Sequence, residues 1–542
     1  MLSGNTFTDG NSDYTIYVEG QNTTNKYTRH INVVSNKVGK ANIAGVYFTG
    51  YVRDSHIRGN TIDGYNGANS PVMHGILIEN ATTSTPSDII IEANNIRRCR
   101  NGVVLSGELN TRPYGTFTVV NNANVTAGDT ITIGSTVLTA VVGAPAANQF
   151  QIGGGANATA TNIAASINTN VNKVLAAASA NVVTVYSIYP GTFDNTKALA
   201  TSDVTGITVS GATMAGGAYQ NVTNITVSNN DIHHCEYSQT GAGTAFLDYG
   251  CFGVAFYNAN NIKVQGNNIH QMGIIVSNTD VPSQPTNLGA DVFPYGVFAL
   301  NSTSYSITDN SIVDAVPKGA GVAYGVSHVQ MSTGVEPGFT YEVMGVQIES
   351  NNIHWDQTTG DNLAVGGAAG DYGIYVAATL GTDNATCSHL LQGTSIIDNK
   401  INSVIVDGIT LLAGDYTTVR ATVIEGNQVF NSDARGISVF AANVSVAGGT
   451  TTVNEIQVED NQVIDVGTVG IQFSGTRTTG TRSFYDINIL DNQVRTTGSH
   501  GIEVACDVAN FNLSAVSIND NRLRSNGTDT NTDSAIYVSM DS

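Results

Sequence analysis

One short pattern recurs along the whole chain and limits the folds that the chain can adopt. An aliphatic residue, two variable residues, an asparagine, one variable residue and then Ile, Val, Leu or Phe follow one another. The asparagine falls at positions 5, 36, 60, 94, 230, 267, 310, 351, 399, 427, 461, 492 and 521. A second pattern, glycine followed by Ile or Val and another apolar residue, comes after most copies, at Gly45, Gly75, Gly102, Gly253, Gly296, Gly325, Gly373, Gly408, Gly436, Gly470 and Gly501. A third apolar stretch precedes the next asparagine, as at Tyr305–Thr308. Each period therefore predicts three short β-strands separated by turns.

The length of the period selects among repetitive β folds. The shortest period, from Asn36 to Asn60, is 24 residues, which is too short for a propeller blade or a helical repeat and suits one coil of a parallel β-helix. We therefore predict an all-β fold, a right-handed parallel β-helix of about 13 coils. A Greek-key sandwich is the alternative, but it gives no reason for thirteen copies in one register. The calcium-binding nonapeptide type of β-helix is disfavoured because its motif does not occur.

The repeated asparagine and its neighbour have separate expected roles. Asparagine tolerates left-handed backbone angles at a turn, and its amide can bond to the same amide one coil away. The aliphatic residue two places on, as in Ile62, Ile96 and Ile232, is expected to point inward and to form a continuous core.

One long segment interrupts the pattern. Residues 115–217 contain no asparagine phrase and predict strands, one helix and further strands. Ile163, Ile167, Val171 and Val174 fall on one face of that helix, and Asn157 or Thr159 is placed to cap it. We predict a small inserted α+β domain at 115–217 between β-helical parts at 1–114 and 218–542. Its glycines lack the Lys-Ser/Thr that a phosphate loop requires, so they predict a plain turn.

Charge and cysteine content exclude several classes of partner. The chain has 22 Lys+Arg against 43 Asp+Glu, a net charge of −21, which opposes binding to nucleic acid or to an anionic membrane. Its five cysteines are scattered without metal-ligand spacing, which favours assembly in a reducing cytosol. No apolar run is long enough to span a bilayer, and the first residues lack the features of a signal peptide. We expect neither a cofactor nor a bound metal.

The inserted segment contains a stretch of sequence that resembles a known module. Residues 127–168, "AGDTITIGSTVLTAVVGAPAANQFQIGGGANATATNIAASIN", resemble a small module that recurs in bacteriophage tail and tail-fibre proteins. The Asn-rich coils resemble the body of phage tailspikes, although pectate lyases, epimerases and adhesins share that coil pattern. The two resemblances together cover nearly the whole chain.

The resemblance implies a function and an assembly. Tailspikes are typically homotrimers, and many depolymerise capsular polysaccharide or O-antigen. The chain departs from a whole tailspike, since neither a virion-binding head nor a C-terminal trimerisation domain is visible between Met1 and Ser542. We therefore expect a virion protein that is assembled in the host cytoplasm, forms a homotrimer, and joins the phage tail or baseplate through a missing N-terminal part.

Four successive coils have long turns on the same edge. The distance from the asparagine to its glycine is 8 or 9 residues in most coils, but 23 after Asn230, 29 after Asn267, 15 after Asn310 and 22 after Asn351. These turns should form one wall of a groove. Contact with neighbouring subunits is the alternative role for them.

Aromatic and imidazole side chains mark this edge. Three places after the asparagine stand His233, His270 and His354, with Val313 in the gap, and directly before the glycine stand Tyr295, Tyr324 and Tyr372. Neighbouring strands lie about 4.8 Å apart, so these residues should form vertical columns. With Trp355, they predict a surface for sugar rings, which stack on aromatic faces and need hydrogen-bonding partners. Packing along the flank of the helix is the competing interpretation, and the gap at Val313 argues against a metal site.

Carboxylates crowd the same edge and suggest a reaction. Glycoside hydrolysis needs one protonated acid and one carboxylate, about 5–5.5 Å apart for retention and roughly 6.5–9.5 Å for inversion. The acid/base candidates are Glu236, Asp314, Asp356 and Asp371. Asp314 and Asp356 should lie about one strand spacing apart, and Glu236 lies two coils from Asp314.

The sequence thus predicts an endo-glycan depolymerase, with a hydrolase favoured. A polysaccharide lyase is the alternative within enzymes, in which a His or Tyr of the columns takes a proton beside a uronate carboxylate. The scarcity of cations on the edge weighs against the lyase. Lys318 stands alone there, and Lys263 in the stretch "NIKV" is the only other Lys or Arg between Asn230 and Asn399. A non-enzymatic receptor-binding spike or adhesin is the alternative from another class.

Overall fold

Three parallel sheets of 13 strands each dominate the chain. The computed structural model describes residues 1–8, 12–20, 27–64, 73–81, 84–108, 111–187, 194–218, 221–235, 250–272, 293–315, 323–330, 340–355, 371–378, 388–441, 449–475, 481–506, 511–526 and 535–540. Each coil contributes one strand to each sheet, and every strand pairs in parallel with the strand of the next coil. The molecule is therefore a right-handed parallel β-helix of about 13 coils, as the repeated pattern predicts.

The sheets are numbered by their order within a coil. Sheet 1 consists of Leu2–Ser3, Asn32–Val34, Ser55–Arg58, Ser87–Glu92, Val222–Ser228, Ala259–Gln265, Tyr305–Thr308, Thr340–Glu349, Ser388–Ile397, Thr417–Glu425, Thr450–Glu459, Thr481–Leu490 and Phe511–Asn519. Sheet 2 consists of Thr6–Phe7, Lys37–Val38, Thr61–Asp63, Asn95–Arg97, Asp231–His233, Asn268–Met272, Ser311–Ala315, Asn352–His354, Lys400–Asn402, Gln428–Ser432, Gln462–Val466, Gln493–Thr497 and Arg522–Asn526. Sheet 3 consists of Tyr14–Gly20, Ala44–Gly50, His74–Glu79, Asn101–Ser106, Gly250–Tyr257, Phe293–Leu300, Ala323–Gln330, Asp371–Ala378, Asp407–Ala413, Arg435–Ala441, Ile471–Gly475, Ile502–Cys506 and Ile536–Met540. A further parallel pair joins Thr28–Arg29 to Val52–Arg53.

The repeated asparagines form a ladder at the turn between sheets 1 and 2. Each Nδ2 donates to the Oδ1 of the asparagine in the next coil at 2.9 to 3.1 Å, from Asn5 to Asn521. The backbone N–H of each asparagine donates to the same Oδ1, as in Asn230 to Asn267 at 3.0 Å. Nearly every ladder amide is buried, so these bonds satisfy backbone groups that would otherwise lose their solvent partners.

The left-handed residue of this turn is the one before the asparagine. Its φ lies between 53° and 70° in all thirteen copies, from Gly4 to Asp520. The expectation that the asparagine itself adopts this conformation is wrong. Its amide can reach both neighbouring coils because the turn is made one residue earlier.

The core is one continuous column of aliphatic side chains. The residue two places after each asparagine is fully buried in the inner coils, as at Ile62, Ile96, Ile232 and Ile269. The glycines at the start of sheet 3 allow that sheet to approach this column. At Gly102, for example, a Cβ would lie 2.4 Å from Ile232 Cγ2 and 2.5 Å from a carbonyl oxygen.

The chain divides into two compact units. The β-helix comprises Met1–Gly107, Val222–Gly334 and Thr340–Ser542, and the second unit includes Glu108–Asn221. The second unit has its own core and two four-stranded sheets, whose strands are Tyr114–Val119, Thr130–Ile133, Thr136–Val141, Gln149–Gln151, Val174–Ser179, Val182–Ser187, Leu199–Thr201 and Ile207–Val209.

The helix of the second unit begins without a side-chain cap. It spans Ala156–Asn170, with Gly155 at the N-cap position and Ile163 and Ile167 buried beneath it. The prediction that Asn157 or Thr159 caps the helix is wrong. Thr159 already lies in the first turn, where its hydroxyl donates to Asn122 Oδ1 at 2.6 Å.

Candidate functional site

The described candidate residues lie near the ends of strands in sheet 2 and near the starts of strands in sheet 3. Glu236 and Asp356 lie outside the described residues. Asp314 and Asp371 belong to the strands Ser311–Ala315 and Asp371–Ala378, but their side chains also lie outside the described part. The distances within the carboxylate set therefore stay predictions.

The three histidines occupy one column on the outer face of sheet 2. Strand register places His233 beside His270, His270 beside Val313, and Val313 beside His354. The rings of His233 and His270 stack with centroids 4.9 Å apart and planes 6° apart. His354 stands apart beyond Val313, with its Nδ1 3.1 Å from Nδ2 of Asn402. The structure thus joins two of the three histidines and separates the third.

Asp231 is a carboxylate of this site that the sequence analysis missed. Its Oδ1 lies 3.1 Å from His270 Nε2, and its Oδ2 lies 3.9 Å from His233 Nε2. Asn95 and Asn268, from the coils on either side, donate to it at 3.0 and 2.9 Å. A carboxylate held in this way orients the imidazole of His270 and leaves its other ring nitrogen for a bound molecule.

His233 and His234 form a second imidazole contact. Their Nδ1 atoms are 2.7 Å apart, so one ring carries its proton on Nδ1 and donates while the other accepts. Burial lowers the pKa of His233 to about 4, opposed by the Asp231 carboxylate, and burial also lowers the pKa of His234. Both rings are therefore neutral at pH 7 and can donate or accept a hydrogen bond.

Two arginines stand next to the histidine column. Arg97 pairs with His233 in strand register, although 136 residues separate them in sequence. Arg97 Nε and Arg98 Nε lie 3.1 and 2.8 Å from the two carboxylate oxygens of Asp63. These cations were not predicted, because they lie outside the Asn230–Asn399 segment that carries the long turns. The signal was present, since Arg97 stands three places after its repeated asparagine, as His233 does.

The tyrosines form a stacked column at the start of sheet 3. The ring centroids of Tyr295 and Tyr324 are 4.8 Å apart, and those of Tyr324 and Tyr372 are 5.4 Å apart, with planes within 7° in both pairs. Phe252 continues the stack on the other side of Tyr295. Burial raises the pKa of all three phenols above its ordinary value, so they remain neutral hydrogen-bonding groups.

The exposure of the aromatic residues differs along the edge. Tyr295 is completely buried and Trp355 is 5% exposed, so neither ring presents a face to a sugar in this structure. Trp355 packs into the main core, and Tyr295 belongs to an aromatic cluster on the outer face of sheet 3. Tyr324 and Tyr372 are only partly buried and retain accessible surface.

A buried ion pair follows the tyrosine column. Asp407 is 1% exposed and accepts from Arg435 Nε and from the Thr410 hydroxyl, both at 2.9 Å. Burial raises the pKa of Asp407, and Arg435 opposes the shift. With its oxygens bonded to Arg435 and Thr410, this carboxylate fits a structural pair better than an acid catalyst.

Two kinds of feature are absent from the described residues, a metal-ligand cluster and a membrane-spanning helix. No group of three or more His, Cys, Asp and Glu among them is arranged to hold a metal ion. The only helix in the described part of the chain is too short to cross a bilayer.

Comparisons with known proteins return weak structural similarities. No family model matches the sequence, and no curated protein matches it. Among solved structures, the tailspike protein gp49 from Pseudomonas phage LKA1 is 12% identical with a TM-score of 0.21, and the match covers 90% of this chain and 69% of that chain. XylC, solved as a complex with xylose, is 10% identical with a TM-score of 0.20, and the match covers 88% of this chain and 81% of that chain. Such TM-scores support no argument about function, and the fold rests on the strand pairing itself.

Proposed function

We propose that the chain is the β-helical body of a phage tailspike that binds and depolymerises a bacterial surface polysaccharide, either capsule or O-antigen. One observation supports this best. The coils whose outer turns are longest also carry the stacked pair His233 and His270 on sheet 2 and the stacked Tyr324 and Tyr372 on sheet 3. Imidazole rings that can form hydrogen bonds and partly exposed phenol rings suit the hydroxyl groups and C–H faces of sugars.

Hydrolysis is the favoured reaction. A protonated acid would protonate the leaving oxygen, and a second carboxylate would activate water or attack the sugar directly. The proposed pair comes from Glu236, Asp314, Asp356 and Asp371. His233, His270, His354, Trp355, Tyr295, Tyr324 and Tyr372 remain the proposed glycan-binding set, although Tyr295 and Trp355 would have to become exposed to make contact.

The test is incubation with purified capsule and O-antigen preparations, followed by mass spectrometry of the products. Fragments that have gained the mass of water support an endo-hydrolase. Binding without any fragmentation would contradict the enzymatic part of the proposal and leave a receptor-binding spike. Failure to bind any preparation would contradict the proposal entirely.

A lyase is the second candidate, and a specific observation favours it. β-Elimination needs a cation beside the uronate carboxylate and a base for the neighbouring proton. Arg97 and Arg98 stand beside His233, in the coil next to the Asp231–His270 pair. Products with an unsaturated uronate, detected by ultraviolet absorbance and without the mass of an added water, would identify this reaction.

The assembly is also a proposal. We propose a homotrimer carried on the phage tail or baseplate through an N-terminal part, and no nucleic-acid or membrane partner. The trimer is tested by the sedimentation equilibrium mass in solution. A monomer mass at micromolar concentration would contradict it.

A further inference from the structure

Three tyrosines in the first two coils form a stacked group on the outer face of sheet 3, which we call the tyrosine platform. Strand register places Tyr17 beside Tyr47, and Tyr14 beside the small side chain of Ala44. The ring of Tyr14 packs on both of the others, with its centroid 4.5 Å from that of Tyr47 and 5.3 Å from that of Tyr17. Tyr17 is 49% exposed and Tyr47 is 8% exposed, so the platform presents Tyr17 to the solvent.

Two glutamates stand beside the platform and bind its hydroxyl groups. The Tyr17 hydroxyl donates to Glu19 Oε2 at 2.8 Å, and the Tyr47 hydroxyl donates to Glu79 Oε2 at 2.7 Å. Strand register places the two glutamates on either side of Thr49, at the same end of their strands. Each of these bonds uses one carboxylate oxygen, so each carboxylate can accept further hydrogen bonds.

The platform lies away from the candidate site. Tyr47 is in the second strand of sheet 3 and Tyr324 is in the seventh, so about 24 Å of sheet separates them. Leu77 and Val104 occupy the position of Tyr47 in the next two coils. The apolar surface therefore continues along the sheet toward Tyr295, but aliphatic side chains replace the phenol ring there.

The charge beside the platform selects among ligands. The strands Tyr14–Gly20, Ala44–Gly50 and His74–Glu79 contain both glutamates and neither Lys nor Arg. Two carboxylates without a cation on the same strands oppose an anionic ligand. An exposed aromatic ring next to hydrogen-bond acceptors instead suits a neutral sugar, whose C–H face stacks on the ring while its hydroxyl groups donate to the carboxylates.

We propose that the tyrosine platform is a second glycan-binding site, in which an uncharged sugar stacks on the exposed ring of Tyr17 and donates hydrogen bonds to Glu19 and Glu79. This inference goes beyond the proposed function, because the site uses none of the residues proposed for catalysis or for glycan binding there. The two sites can therefore be tested separately.

The experiment is hydroxyl-radical footprinting of the full chain, read by mass spectrometry, with purified neutral and uronate-containing bacterial polysaccharides as probes. Oxidation of Tyr17 is compared with that of Tyr114, which is 50% exposed on the second unit and corrects for radicals that the glycan consumes. The variant E19A removes one acceptor and keeps Tyr17 as the reporter. The matched control is E342A, which removes an exposed glutamate of sheet 1 that accepts a hydrogen bond from Gln392.

Support requires that a neutral glycan lowers the oxidation of Tyr17 relative to Tyr114. E19A should raise the glycan concentration for half protection about tenfold, and E342A should leave it unchanged. Protection of Tyr17 should also persist in His270→Ala. Protection by uronate-containing glycans alone, or equal protection in E19A, overturns the inference.

Two further outcomes separate this inference from the proposed function. Cleavage of a glycan without protection of Tyr17 overturns only the second site, whereas protection of Tyr17 without cleavage overturns only the enzymatic part of the proposed function. A Tyr17 that resists oxidation before any glycan is added also overturns the inference, and indicates that copies of the chain contact one another at this face.

Discussion

At the scale of single residues, the asparagine ladder places strict requirements on one side chain, which must both donate and accept hydrogen bonds. Each inner ladder amide accepts from the backbone and side chain of the asparagine in the preceding coil. Its own Nδ2 donates to a backbone carbonyl of that same coil and to the asparagine oxygen of the next coil. Asn427 accepts from both nitrogens of Asn399 at 3.0 Å and donates to Asn461 Oδ1 at 3.0 Å and to Ile396 O at 2.8 Å. Aspartate or serine at this position cannot reproduce that set of donors and acceptors.

Replacing Asn427 by Ala should destabilise the β-helix by roughly 2–4 kcal/mol, because it removes several buried hydrogen bonds and leaves their partners unsatisfied. The measurement is the free energy of unfolding in urea or, if unfolding is irreversible, the rate of thermal inactivation. Gln428→Ala is the control, since that side chain is exposed on the next residue. Equal stability of the two variants would contradict the role assigned to the ladder.

A second prediction at this scale concerns the acid pair. Asp314→Asn or Asp356→Asn should lower turnover at least about a hundredfold if that residue is the proton donor, with the fold unchanged. Asp309→Asn is a matched control, because Asp309 lies in the same coil as Asp314 at an exposed turn. If Glu236, Asp314, Asp356 and Asp371 can each be replaced without slowing cleavage, the reaction uses other residues, which we would then expect between subunits.

At the scale of elements, the insertion leaves the coils around it unchanged. Asn94 and Asn230 bond at 2.9 Å across 136 residues, the same distance as Asn230 and Asn267 across 37. The strands on the two sides pair in regular register, for example Ile96 with Ile232. The β-helix therefore needs nothing from the second unit to continue its ladders.

Deleting the second unit and joining its ends by a short Gly/Ser linker should leave the coils folded and cleavage intact, because we expect the unit to act as a spacer or an auxiliary sugar contact. Circular dichroism and the cleavage assay provide the measurement. Loss of cleavage by a clean deletion that keeps its oligomeric state would refute this expectation.

At the scale of the whole molecule, a single aliphatic core runs through the described coils but contains buried histidines. His328 is completely buried, in register with Ala299 and Val376 of the core, and His389 is 1% exposed. Neither ring has a hydrogen-bond partner in the described part of the chain. Burial lowers the pKa of His328 to about 3 and that of His389 to about 4.

These shifts predict acid lability. An unfolded histidine has a pKa of about 6.5, so the unfolded chain binds more protons than the folded one below that pH. The stabilising contribution is complete above pH 6.5 and is lost as the pH falls toward 4. The unfolding midpoint should therefore drop between pH 7 and 5, and His328→Leu should flatten this dependence while the exposed control His30→Asn does not. An unchanged slope in His328→Leu would contradict the assignment.

Sequence reasoning recovered the fold because its determinants are periodic. The asparagine recurs in every coil, and the inward aliphatic residue and the glycine recur in most coils, so the copies support one another. The arrangement of the candidate residues could be predicted only in part. The histidines and tyrosines recur at fixed positions of the repeat, so their columns could be predicted. The hydrogen bond between Asp231 and His270 depends on side-chain contacts between coils, which the repeat does not specify. Arg97 and His233 are neighbours in the sheet, but the insertion separates them by 136 residues in sequence. The carboxylates on the long turns do not recur at a fixed spacing, so the repeat does not predict their positions.

The unbroken ladder at Asn94 also has a consequence for the order of folding. Other ladder contacts close 24 to 48 residues of chain, whereas this one closes 136, which costs about 1 kcal/mol more in loop entropy if the segment is unstructured. The second unit removes most of this cost if it folds first, because the bridge from Thr111 to Ala218 brings its two ends together. We therefore expect the helix Ala156–Asn170 to gain hydrogen-exchange protection during refolding before the Asn94 amide does, and the reverse order would disprove it. In kinetic terms, the inserted unit shortens the loop that must close between Asn94 and Asn230. The parts of the β-helix before and after it can then pair almost as if they were adjacent in sequence.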